Sequence, residues 1–109
     1  RIINFSTIAV PLDLEGEMAY ASSKVAIEKM SRIMSKELST YNITINTIGP
    51  SPVYTDLIKV VPKDKVEEII NMQIIKRFGS FKDISNVTDF FISNKSSFIT
   101  GQKIYLGGL

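Results

Sequence analysis

From Met18 to Ser39, apolar or small residues recur at positions 19, 22, 23, 26, 27, 30, 33, 34 and 38, a helical spacing held over about five turns. A helix of that length, set between two strand-like segments, leaves few folds open. Before it, Arg1-Ile2-Ile3-Asn4-Phe5-Ser6 is a short run rich in β-branched and aromatic residues, and it reads as a buried strand ending at the Ser6 and Thr7 hydroxyls. After it, Asn42 leads into Ile43-Thr44-Ile45-Asn46-Thr47-Ile48, a second strand stopped by Gly49-Pro50-Ser51-Pro52, where two prolines remove backbone donors. Parallel strands need a long crossover, and a helix is the usual one.

The remaining pattern extends this alternation. Residues Val10 to Glu17 hold Pro11, Gly16 and the acidic Asp13, Glu15 and Glu17, and are expected to form a solvated loop. On the long helix, Glu28 and Arg32 are spaced for an exposed i,i+4 pair. Helical spacing returns from Lys63 to Ile74 through Val66, Ile69, Ile70 and Ile74, with Pro62 suited to the first helical position. Gly79 breaks the chain, Ser80-Phe81-Lys82-Asp83 resembles a capping box ahead of Ile84, Val87, Phe90 and Phe91, and Lys103-Ile104-Tyr105-Leu106 closes as a third strand. The expected architecture is α/β, three neighbouring strands of a parallel sheet with intervening helices.

Composition narrows the chemistry. The chain has 109 residues, enough for one domain or part of one, and its 13 basic residues are scattered with a formal net charge of +2, which argues against a nucleic-acid or membrane-surface role. Cysteine and histidine are both missing, so acid–base work falls to Tyr, Lys, Asp or Glu, and no metal centre is expected. Apolar stretches fall short of the roughly 20 residues that span a membrane, and a soluble, cytoplasmic protein is expected. The sequence opens at Arg1, inside an apolar run and without Met, which suggests further residues upstream.

Tyr20 and Lys24 stand four apart at the start of the long helix, on one face and one turn from each other. A phenol is a weak base at neutral pH, and a neighbouring ammonium favours its ionised form. With four tyrosines in the chain, an accidental Tyr-x-x-x-Lys is expected in about one such sequence in four, so the pair carries little weight alone. Thr7 adds to it: it lies at the carboxyl end of the first strand, where α/β folds build their sites, and its hydroxyl could donate to a substrate oxygen. Ser6 and Thr7 could equally well serve only to satisfy backbone groups at a strand end.

Taken together, Asn4-Phe5-Ser6-Thr7, Tyr20-x-x-x-Lys24, Asn46 to Thr55, Arg77-Phe78-Gly79 and Ile99-Thr100-Gly101-Gln102 through Gly107-Gly108 resemble the short-chain dehydrogenase/reductases in order and spacing. The likeness runs along the whole chain and is strongest to 3-oxoacyl-[acyl-carrier-protein] reductase-like members. It implies the C-terminal catalytic part, residues 1–109, of one Rossmann-like doubly wound domain, and an oxidoreductase that interconverts a carbonyl and a secondary alcohol with NAD or NADP. The resemblance makes Tyr20 the proton donor or acceptor and Lys24 its partner and a ligand of the nicotinamide ribose. Thr7, with Ser6 as fallback, would hold the substrate oxygen. Pro50, Ser51, Val53 and Thr55 would line the nicotinamide.

A small carbonyl or alcohol substrate, such as a 3-oxoacyl thioester on a carrier, and a homodimer or homotetramer also follow from the resemblance. Two positions depart from the family pattern. Thr7 stands where Ser is usual, which keeps the hydroxyl but restricts χ1. Ser51 stands where Gly is usual, which would stiffen the loop if that position needed positive φ. The Gly-rich dinucleotide turn and the family's catalytic Asn are not among these residues, so the alternative is a truncated, non-enzymatic relative that acts only in subunit association.

Overall fold

A computed structural model describes all of residues 1–109. Three strands, β1 (Ile2–Phe5), β2 (Ile45–Gly49) and β3 (Lys103–Tyr105), form one sheet in the order β1-β2-β3, every pairing parallel. Ile2 lies opposite Ile45 and Phe5 opposite Ile48, while Thr47 lies opposite Lys103 and Gly49 opposite Tyr105. All five residues of β2 are buried, because helices cover both faces of this central strand. The buried apolar residues are Ile45, Ile48 and Phe91, with Ile8, Ala9 and Val66 nearly as enclosed.

The long helix is α2 (Met18–Glu37), continued by a 3₁₀ turn over Ser39–Tyr41. Its buried face differs from the expected stripe. Ser31 and Ser35 are the residues that α2 buries, whereas Val25, Met30 and Ile33 stand about half exposed. The reason lies in the strand opposite: Asn4 Nδ2 donates to Ser31 Oγ at 2.8 Å, and small hydroxyl side chains let the helix approach a polar sheet face closely. Ser31 and Ser35 return their own protons to the helix, at Ile27 O and Arg32 O.

Several boundaries also differ from the expected ones. The Val10 to Glu17 loop contains a one-turn helix, α1 (Ala9–Leu12), closed by Asp13 in the left-handed conformation. A second short helix, α3 (Asp56–Lys59), precedes α4 (Lys63–Met72), for which Pro62 is the residue before the first helical one. The apolar spacing predicts α4 to Ile74, yet it stops at Met72. Gln73 turns extended, and the Ile74 and Ile75 N–H groups donate to Gly108 O and Gly107 O. The last helix, α5 (Phe81–Ile92), starts with the predicted capping box: Ser80 Oγ accepts from Asp83 N, and Asp83 accepts from Ser80 N.

Two glycines are required by geometry. A Cβ on Gly49 would sit 2.2 Å from Cδ1 of Tyr105, so only glycine lets that ring lie flat on β2. Gly101 has φ +66° and brings the chain against α2, where Arg32 Nη1 donates to Gly101 O at 3.0 Å.

Candidate active site

Because the sheet is parallel, β1 and β2 end on the same rim. Their pairing continues past the strands, with Ser6 N donating to Ile48 O at 2.8 Å and Ile8 N to Pro50 O at 3.1 Å. The first turns of α2 reach this rim. Lys24 Nζ donates to Phe5 O at 3.1 Å, which ties the helix to the last residue of β1. The same ammonium lies 5.8 Å from the centre of the Tyr20 ring, within cation–π range, and the ring is 43 % exposed. The structure thus brings Tyr20, Lys24 and the end of β1 together.

Thr7 follows on that rim. Its Oγ1 accepts a hydrogen bond from Ala9 N at 3.2 Å, which starts the α1 turn and leaves the hydroxyl proton free to donate. Ser6 is differently placed. It is buried, and its hydroxyl donates to the Glu28 carboxylate, so the fallback donor has its proton committed inside the fold.

The Pro50 to Thr55 segment leaves β2 at the same rim and is stapled from behind. Val53 pairs with Gly79 in a parallel bridge, and Gly79 N donates to Pro52 O at 2.8 Å. Ser51 is buried, with its Oγ close enough to Gly79 that a Cβ there would come within 2.9 Å of it. The non-glycine residues at positive φ are Asp13 and Asn42, so Ser51 keeps ordinary backbone geometry and the stiffening expected of it does not arise. Thr55 precedes α3 without capping it, which leaves its hydroxyl available to a ligand.

One group of residues beneath the rim was not read from the sequence as a unit. Glu28, expected in an exposed pair with Arg32, turns inward instead, and its side chain is 10 % exposed. Its Oε1 accepts from Tyr105 Oη at 2.6 Å and from Ser6 Oγ, and its Oε2 accepts from Lys103 Nζ at 2.6 Å. Burial alone would raise the Glu28 carboxyl, but the bonds from Lys103, Ser6 and Tyr105 outweigh it and hold it below the ordinary carboxylate value. Arg32 reaches Gly101 O instead. The available signal was the spacing Tyr20, Lys24, Glu28, one residue per turn on a single face.

Lys76 and Arg77 serve the fold. Lys76 Nζ donates to carbonyls at the end of α4, at Asn71 and at the capping residue Gln73 (3.1 Å), where a cation suits the helix dipole. Arg77 forms a two-point pair with Asp83, at 2.8 and 2.9 Å, which holds that carboxyl far below its usual range. Two surface grooves, of about 310 and 490 Å³, have neither Tyr20, Lys24 nor Thr7 in their walls.

The donor set on the rim suits a nicotinamide ribose. Lys24 uses one of its N–H donors on Phe5 O, which leaves two for a diol, and the Tyr20 phenol stands exposed beside it. No cluster of His, Cys, Asp or Glu is arranged to hold a metal ion, and no helix is long and apolar enough to cross a membrane.

A family model described as enoyl-(acyl carrier protein) reductase matches residues 1–108. The chain is 29 % identical over 107 residues to 3-oxoacyl-[acyl-carrier-protein] reductase FabG of Staphylococcus epidermidis, covering 98 % of this chain and 44 % of that protein. It is 35 % identical over 109 residues to the chloroplastic NADPH-dependent aldehyde reductase 2 of Arabidopsis thaliana, covering 99 % and 40 %. Among solved structures, the angucycline C-6 ketoreductase LanV with bound NADP superposes with a TM-score of 0.87 at 26 % identity, covering 99 % of this chain and 42 % of that one. The chain therefore spans less than half the length of the relatives it matches. The three-stranded parallel sheet with helices on both faces is the part of their Rossmann-like fold that it shares.

Proposed function

We propose an oxidoreductase function on this premise: the chain belongs to the short-chain dehydrogenase/reductase family. In the intact protein, residues 1–109 form the C-terminal catalytic part of one Rossmann-like domain, which interconverts a carbonyl and a secondary alcohol with NADP(H) or NAD(H). The observation that carries this reading is the Tyr20–Lys24 pair, one turn apart and anchored by Lys24 to Phe5 O at the carboxyl end of a parallel strand.

When bound, the nicotinamide would supply the hydride in reduction and accept it in oxidation. Each residue on the rim then has a definite task. Tyr20 delivers its phenolic proton to the carbonyl oxygen in reduction and recovers it in oxidation. Lys24 offsets the charge left on the phenolate oxygen and offers its free N–H donors to the ribose hydroxyls. Thr7 donates its uncommitted proton to the substrate oxygen, holding it where negative charge grows. Pro50, Ser51, Val53 and Thr55 form the wall against the nicotinamide, braced by the Val53–Gly79 bridge.

A 3-oxoacyl thioester is the favoured substrate, on the strength of the 3-oxoacyl and acetoacetyl-CoA reductases among the relatives. NADP is the favoured cofactor, since a relative and a structural neighbour carry it in their names. Association into a homodimer or homotetramer is supported by the half-exposed Val25, Met30 and Ile33 on α2. The test is the rate of NADPH oxidation by the intact protein with an acetoacetyl thioester. Tyr20→Phe should lower kcat by at least about a hundredfold, and a rate unchanged by that substitution would remove Tyr20 as the acid.

A further inference from the structure

We propose that Glu28 is a positioning residue: its buried carboxylate ties the strand end that carries Thr7 to the helix that carries Tyr20 and Lys24, and both of these to β3. The inference deepens the function proposed above and rests on it for its kinetic part.

A carboxylate that is 10 % exposed is expensive to bury unless its lone pairs are satisfied. Glu28 is satisfied from two other elements as well as neutralised. Ser6 comes from the end of β1, and Tyr105 and Lys103 come from β3, while Glu28 itself sits on α2. Lys103 cancels the charge, so the carboxylate places no net negative charge one turn from Lys24. The remaining two donors serve geometry. Ser6 has a single proton and spends it on Glu28, which fixes the residue immediately before Thr7.

Lys24 grips the residue before that, at Phe5 O, so two successive residues of the strand end are held by two successive turns of α2. The relative placement of Thr7 and the Tyr20 helix is therefore set by a pair of clamps, one of which is Glu28. The same bond decides between the two adjacent hydroxyls, because Ser6 cannot both serve Glu28 and offer a proton to a substrate. A site whose reacting groups must hold position to a fraction of an ångström is sensitive to such a clamp.

The experiment uses the intact protein and three variants, Glu28→Gln, Ser6→Ala and the double variant. Hydrogen exchange is followed over residues 1–10, and kcat and KM for NADPH and an acetoacetyl thioester are measured. Glu28→Gln should speed exchange of the Ser6 and Ile8 amides by about tenfold, these being the groups that tie the strand end to β2 and its loop. It should lower kcat by about tenfold while KM for NADPH moves less than about twofold. Ser6→Ala should do the same, and the double variant should be no slower than the worse single one, because Glu28→Gln weakens, by loss of the charge, the same bond that Ser6→Ala removes.

Wild-type exchange at Ser6 and Ile8 in Glu28→Gln would overturn the proposal whether or not the protein is active, as would additive kinetic losses. If Glu28→Gln does not fold, Ser6→Ala carries the test alone, and unchanged exchange and kcat in that variant would overturn it. Inactive wild-type protein with fast exchange in Glu28→Gln would instead count against the oxidoreductase reading and leave the clamp supported.

Discussion

The Lys24 ammonium donates to the Phe5 carbonyl oxygen at 3.1 Å while standing 5.8 Å from the centre of the Tyr20 ring, so one side chain joins the candidate acid to the end of β1. Removing it should affect chemistry more than folding. Lys24→Met keeps the aliphatic stem but loses the charge and the bond to Phe5, and kcat of the intact protein is expected to fall by about a hundredfold or more. Lys24→Arg retains the charge in a rigid planar fork that cannot present the same point donor, and should recover only part of the loss. Steady-state kinetics on both variants checks this, and a Met variant with wild-type kcat would end the role assigned to Lys24.

The Tyr105 ring packs into the space left by the missing side chain of Gly49. A methyl group at Gly49 would meet the Tyr105 ring at 2.2 Å, and the ring cannot step aside freely because its hydroxyl is held by Glu28 at 2.6 Å. Gly49→Ala should therefore destabilise the fold by about 1–3 kcal/mol, or somewhat more. Combining it with Tyr105→Ala relieves the collision, so the double variant should lose less than the sum of the two singles. Thermal unfolding of the four proteins gives the comparison, and strict additivity would show that the ring moves away without cost.

The Glu28 cluster sets a pH signature with two limbs. The folded-state carboxyl of Glu28 lies below its unfolded value, so its contribution is fully present above the ordinary carboxylate pKa and is lost as pH falls through the depressed one. Burial works against the Lys103 ammonium, but Glu28 and Tyr105 raise it overall. Its contribution is thus present below the ordinary lysine pKa and lost as pH rises through the raised value. Denaturant melts across pH should show Glu28→Gln flattening the acid limb and Lys103→Met flattening the alkaline one. An acid limb unchanged in Glu28→Gln would assign the pH dependence to another carboxylate, of which Asp83 is the first to test.

Much of this architecture was legible because it is written in period and punctuation. The strand run at Ile2-Ile3, most of the run expected from Ile43 to Ile48 (the strand itself begins at Ile45), the long helical spacing of α2 and the Ser80 capping box appear where local sequence places them. What escaped depended on partners distant in sequence. The spacing of Glu28 and Arg32 suggested a surface pair, but Lys103 and Tyr105, 75 and 77 residues further on, draw Glu28 inward. The burial of Ser31 and Ser35 follows from Asn4 on the facing strand, and α4 ends early because Gly107 and Gly108 offer their carbonyls to Ile74 and Ile75. On the rim, Tyr20 and Lys24 could be paired by spacing, whereas the Phe5 anchor and the bond that commits the Ser6 hydroxyl to Glu28 needed the folded chain.

Thr7 offers the sharpest separation of a catalytic hydroxyl from a structural one. Its oxygen already accepts from Ala9 N at 3.2 Å to begin α1, so two roles share one group, and the variants must divide them. Thr7→Ser keeps both the acceptor and the donor and removes only a methyl group and a χ1 restriction, so activity should be preserved or raised. Thr7→Val keeps the branched shape but removes both functions, and should lower kcat by about a hundredfold while costing about 0.5–1.5 kcal/mol in stability for the lost turn bond. Thr7→Asn restores an acceptor that can hold Ala9 N but moves any donor to a different place, so it should recover stability without recovering kcat. Equal rates for Ser and Val would take Thr7 out of the reaction, and a kcat that tracked melting temperature across the series would leave it only the structural task.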